Sequence, residues 1–92
     1  MDTQSTSAAT NIRIRVLAFA RVREIIGAAE VQRSIESGAT IQELWQSFVH
    51  DQPELALFSS SIRFACEGEL AQGSHLLVDG NEVAFLPPVS GG

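Results

Sequence analysis

The sequence predicts an α+β domain in which one main helix lies across a β-sheet. Three observations carry this. Segments with period-two alternation occur near both ends of the chain, one well-capped amphipathic helix lies between them, and turn residues separate most elements. At 92 residues the chain supports one domain, since two halves would each lack a core.

Residues 11–19 alternate. Ile12, Ile14, Val16 and Ala18 fall on one face, and Arg13, Arg15, Leu17 and Phe19 on the other. Period two with β-branched residues is the pattern of a strand half buried in a sheet. Leu17 and Phe19 are unexpected on a solvated face. Residues 20–26 place Val22, Ile25 and Ile26 at i, i+3 and i+4, with Gly27 just after, which reads as a short helix with a C′ glycine. Residues 30–36 form a second strand, although Val31 and Ile35 share their face with Arg33. Thr40 and Glu43 have the spacing of a capping box, in which each side chain satisfies a free backbone N–H at the helix start. Ile41, Leu44, Trp45, Phe48 and Val49 then make one apolar stripe, and Pro53 requires the helix to have ended before it.

A connection spans 53–61. Ile62, Phe64 and Cys66 then alternate with Arg63, Ala65 and Glu67 as a third strand, and Gly68 permits a turn into a short strand at 69–71. Asp79-Gly80-Asn81 signals another turn. Residues 82–86 are the last strand, with Val83 and Phe85 inward and Ala84 and Leu86 outward. Pro87-Pro88 stops the ladder, because proline has no N–H to donate. Periodicity supports this class and about five strands, but leaves the strand order open.

The chain is 45% hydrophobic and 18% charged, as befits a globular protein. No apolar run approaches the roughly 20 residues of a membrane span. Residues 1–10 are polar and carry no positive charge, so neither a secretory nor a mitochondrial address is expected there. They read as a disordered tail before a domain at 11–86 and an extended tail at 87–92. A single cysteine, Cys66, excludes an internal disulfide and fits a reducing, cytoplasmic setting. It also excludes a plant-type ferredoxin, whose cluster needs four cysteines. The net charge of −5 disfavours nucleic acid, and no membrane partner is expected. All six basic residues are arginine, so the chain offers no ε-amine on which a sister copy's activated C-terminus could be consumed.

Chemistry concentrates in Pro87-Pro88-Val89-Ser90-Gly91-Gly92. Fully extended, this segment reaches at most about 20 Å. The prolines hold its start extended, and Gly91 and Gly92, lacking side chains, suit a narrow channel. The segment therefore reads as a thin probe that presents the carboxyl group of Gly92 in another protein's active site. A carboxylate is a poor electrophile. Coupled to AMP it becomes a mixed anhydride with a good leaving group, and attack by a sulfur nucleophile gives a thiocarboxylate. Such a carrier needs a docking surface and a reachable end, and no catalytic side chain of its own.

Other residues tempt less. Cys66, inward beside Phe64, reads as a buried core thiol rather than a sulfur relay. His50 and His75 lack ligand or nucleophile spacing, Trp45 belongs to the helix stripe, and Glu67 and Glu69 read as solvated residues flanking a turn. No metal site is expected.

Two segments carry a family resemblance. Leu17-Ala18-Phe19-Ala20-Arg21-Val22-Arg23-Glu24-Ile25-Ile26-Gly27 resembles the first strand and helix of the small subunit of molybdopterin synthase. Asp79 to Gly92, with its Glu-Val-Ala-Phe-Leu-Pro-Pro-Val-Ser-Gly-Gly ending, resembles that family's C-terminus closely. The resemblance implies a ubiquitin-like β-grasp fold and a non-catalytic role as sulfur carrier. A ubiquitin-E1-like enzyme would use ATP to adenylate Gly92, and a sulfurtransferase step would convert it to a thiocarboxylate. The large catalytic subunit would then use that sulfur to convert cyclic pyranopterin monophosphate to molybdopterin, for the molybdenum cofactor. It further implies a heterotetramer, no bound cofactor, and docking through residues that map onto Phe19, Leu70 and Leu86. The segment from Pro87 through Val89 and Ser90 would insert into the partner. Three alternatives stand beside it. One is a sulfur carrier for thiazole synthesis or tRNA thiolation. The others are a ubiquitin-like protein modifier and a β-grasp interaction module with an inert tail.

Overall fold

The computed structural model describes residues 10–88. The N-terminal segment before Thr10 lies outside the described residues, as do Val89, Ser90, Gly91 and Gly92. The elements run β1 (Asn11–Ala18), α1 (Ala20–Ile26), β2 (Glu30–Glu36), α2 (Ile41–Asp51), a 3-10 helix (Pro53–Phe58), β3 (Arg63–Cys66), β4 (Glu69–Ala71) and β5 (Glu82–Leu86). Every element expected from the residue pattern is present. Phe19 falls just past β1, as the N-cap residue that precedes α1.

The sheet has the order β2-β1-β5-β3-β4. β1 pairs antiparallel with β2 and parallel with β5, while β3 pairs antiparallel with β5 and with β4. This is a mixed five-stranded sheet with α2 across one face, the β-grasp arrangement. Alternation decides what meets α2. Ile14, Val16, Val83 and Phe85 from the sheet and Ile41, Leu44, Trp45 and Phe48 from the helix are all fully or almost fully buried. Each such side chain contributes roughly 1.5–3 kcal/mol on burial. Phe85 sits at the centre, edge-on to Trp45 at 5.0 Å and to Phe48 at 5.3 Å between ring centroids.

One anomaly in the residue pattern finds a physical cause. Arg33 shares the helix-facing side of β2 because its guanidinium lies over the Phe48 ring, 3.8 Å from the centroid. It also donates to Ser47 Oγ at 3.2 Å and pairs with Asp51 at 2.9 Å. A cation with a ring beneath it and a carboxylate at its tip fits on an apolar face.

The segment read as a plain connection contains the 3-10 helix, opened by Pro53, which buries Leu55 completely and packs Phe58 against the core. Ser59 Oγ there accepts the Trp45 indole N–H at 3.0 Å.

The N-terminus of α2 is fully provided for. Thr40 Oγ1 accepts from Glu43 N and Glu43 Oε1 accepts from Thr40 N, the expected capping box. Ile41 N and Gln42 N instead donate to the carbonyls of His75 and Gly73, so the β4–β5 loop closes over the helix start and drops Leu77 into the core.

Candidate functional site

β5 determines where the C-terminal segment begins. It is flanked on both sides, by β1 through Ala18↔Phe85 and by β3 through Arg63↔Leu86. Its Phe85 is locked in the aromatic cluster. A strand paired on both edges and pinned at its inward side chain cannot swing. Pro87 and Pro88 therefore leave the sheet from a fixed point, and that point lies near the middle of the sheet.

Beside this exit the sheet's helix-free face is apolar. The register puts Leu17 opposite Ala84, Ala84 opposite Ala65, and Ala65 opposite Leu70. An uninterrupted apolar row thus crosses four strands. Two alanines at its centre make it a shallow trough between leucines. Toward the tail, Leu86 stands opposite Arg63, and Phe19 follows Leu17 on the same side. Away from the tail the face turns ionic, with Arg15 bonded to Glu82 and paired with Glu30 at 3.6 Å. Polarity therefore changes along the strands, and the apolar end is where the tail emerges.

Phe19, Ala20, Phe58, Leu86, Pro87 and Pro88 also line an open groove of about 580 Å³, with Arg21 at its edge. Ala20 holds a left-handed φ of 51°, which a residue with a Cβ adopts only at some cost. That bend turns the chain at the end of β1 and leaves the Phe19 ring 45% exposed. Leu70 is 72% exposed on the edge strand. Phe19 and Leu86 beside the exit, with Leu70 exposed at the edge of the same face, have the character of a surface meant to be covered.

The remaining candidates divide clearly. Cys66 is buried on β3, and burial, with a smaller effect from the Glu67 charge, pushes its thiol pKa up, away from a reactive thiolate. Glu67 differs from its reading as a merely solvated residue. It sits at φ 52° and its carboxylate accepts from Glu82 N at 2.8 Å and from Asn81 Nδ2 at 3.0 Å. It clamps the β3–β4 turn to the start of β5. The Glu82 N–H, then the Asn81 amide, hold its pKa below the ordinary glutamate value.

His50 and His75 are exposed and far apart in the fold, and no group of three His, Cys, Asp or Glu among the described residues could hold a metal. No helix among the described residues is long and apolar enough to cross a membrane.

The structure thus gathers Phe19, Leu86, Pro87 and Pro88 in one groove and sets Leu70 at the far end of the adjoining apolar row. Val89, Ser90, Gly91 and Gly92 lie outside the described residues. Reading the residues singly missed Phe58 and Ala65. Phe58 had a signal in its i, i+3 spacing from Leu55 within a segment opened by Pro53. Ala65 had none.

Comparison with known proteins gives the same outline. The ThiS family matches residues 16–92. The molybdopterin synthase sulfur carrier subunit of Escherichia coli is 41% identical over 83 residues, covering 86% of this chain and 99% of that protein. The protein of the same name from Arabidopsis thaliana is 32% identical, covering 90% of this chain and 86% of its own length. Among solved structures, the small archaeal modifier protein 1 from Methanosarcina acetivorans superposes with a TM-score of 0.71 at 27% identity. That match covers 90% of this chain and 99% of the other.

Proposed function

Since the chain belongs to the ThiS family, we propose that it is the sulfur-carrier subunit of a molybdopterin synthase, with the carboxyl group of Gly92 as its reacting atoms. The observation that carries this reading is the fixed exit of Pro87-Pro88 from a doubly paired central strand beside an exposed apolar surface. A tail so aimed can be threaded into a partner while the partner covers the surface at its root. The name shared by the Escherichia coli and Arabidopsis relatives supports the choice of synthase.

In this cycle an activating enzyme spends ATP to adenylate Gly92. The AMP mixed anhydride makes the carbonyl carbon electrophilic. A sulfide-level sulfur nucleophile attacks, the C–O bond to AMP breaks with release of AMP and a proton, and a thiocarboxylate remains. The carrier then docks on a large subunit through Phe19, Leu70 and Leu86. Pro87 to Ser90 line the path, and Gly91 and Gly92 pass where no side chain fits. The sulfur is delivered to cyclic pyranopterin monophosphate. The chain itself contributes position and specificity and leaves bond-making to its partners.

A second reading, a protein modifier, is favoured by the likeness to the archaeal modifier. Mass spectrometry after incubation with ATP, activating enzyme and a sulfur donor separates the two. The carrier gains the mass difference of sulfur for oxygen at its C-terminus, whereas a modifier appears joined to lysines of other proteins. Deleting Gly92 abolishes sulfur delivery and leaves the melting temperature unchanged. A chain lacking Gly92 that still supports molybdopterin synthesis refutes the mechanism.

A further inference from the structure

Resting on the sulfur-carrier reading of the outer face, we propose that Arg63 selects the docking partner by requiring a carboxylate from it within the apolar contact. Three of the six arginines are already held by acids of the same chain: Arg15 by Glu82 and Glu30, Arg21 by Glu24, and Arg33 by Asp51. Among the described residues, Arg13, Arg23 and Arg63 have no ion pair. Arg13 stands at the ionic end of the face, opposite Ser34, and Arg23 lies on α1.

Of these three, Arg63 alone is set among the docking residues. It is directly opposite Leu86, two residues from Ala65 in the apolar row, and lines a shallow hollow with Leu70. Any protein that covers Leu70 and Leu86 together must also cover the Arg63 side chain, which is the neighbour of both.

Removing a guanidinium from water without a partner charge is costly enough to cancel the gain from the surrounding apolar contact. A partner that places an Asp or Glu at this point forms a charge-assisted, bidentate bond instead. The same residue therefore attracts one class of surface and rejects apolar patches that lack the acid. The requirement is local and runs against the whole-molecule field, because a chain of net charge −5 attracts basic surfaces on average. The occupant is accordingly a protein with an apolar patch that carries one carboxylate facing Arg63.

The experiment measures binding of the full-length carrier to the large subunit of its own synthase, at low and high salt, for wild type, Arg63→Gln, Arg63→Glu and Leu70→Ala. The expected result is a loss of at least about tenfold for Arg63→Gln at low salt, with a flattened salt dependence, and a larger loss for Arg63→Glu. Reversing the facing carboxylate on the large subunit to arginine restores binding of Arg63→Glu. Leu70→Ala weakens binding at every salt concentration. Melting temperatures of the Arg63 variants match wild type, because the side chain has no ion-pair partner among the described residues to lose.

If both Arg63 variants bind as wild type, or Arg63→Gln binds more tightly, while Leu70→Ala still weakens the complex, the inference is overturned and the docking reading stands. If Leu70→Ala is silent as well, the docking reading falls with it.

Discussion

Glu67 and Cys66 are neighbours whose ionisation is pushed in opposite directions by opposite surroundings. The Glu67 carboxylate receives two hydrogen bonds that its protonated form would weaken, so its folded pKa is lowered. The stabilisation is therefore present above the ordinary glutamate value of about 4.3. It is lost as pH falls through the lower folded value. Thermal melts from about pH 5 downward should fall more steeply for wild type than for Glu67→Gln, which has no charge to lose. Equal slopes would show that the clamp is not linked to folding. For Cys66, burial dominates and keeps the thiol protonated. Iodoacetamide should alkylate it far more slowly in the native protein than in urea at the same pH. Rapid native labelling would restore it as a candidate sulfur relay.

The helices show what local sequence settles and what it leaves to the fold. Thr40 and Glu43 predict the start of α2 from four residues, because both halves of the capping box lie within one turn. Thr40→Ala should destabilise the protein by about 1 kcal/mol in urea titrations, without altering partner affinity. The Ile41 and Gln42 N–H groups were beyond such reading. Their acceptors, the carbonyls of His75 and Gly73, lie more than thirty residues away in sequence. Leu77 was lost for the same reason, since a single apolar residue in an aperiodic loop gives no phase. The left-handed residue Ala20 has no glycine beside it to announce it, whereas Glu67 lies in the turn that Gly68 marks. Strand order, too, rests on pairings such as Val16↔Val83, which no local period encodes. The candidate site was half legible on the same terms. Leu17, Phe19 and Leu86 stood out as apolar residues on a face that should be wet, whereas their assembly into one surface depended on β1, β5 and β3 becoming neighbours.

At the scale of the whole molecule, one sheet carries two separable duties on its two faces, and β5 contains both in adjacent residues. Val83 points inward, fully buried under α2, while Ala84 points outward at the centre of the apolar row, between Leu17 and Ala65. Val83→Ala removes packed methyl groups and should cost about 2 kcal/mol of stability. The outer surface remains as it was, so affinity for the large subunit at a temperature where the variant is folded should be that of wild type. Ala84→Glu does the reverse. The new carboxylate projects into solvent in the free protein and should change stability by less than about 1 kcal/mol. In the complex it would lie within the apolar row, in diagonal reach of the Arg63 that has to meet the partner's carboxylate, and would set a second acid against that carboxylate, so binding should fall at least about tenfold. Paired measurements of chemical unfolding and binding check both halves. A sheet that merely held the tail would show losses of sulfur delivery that track stability in both variants. Two faces with separate duties predict that the variant with the smaller stability loss is the one that fails to deliver sulfur.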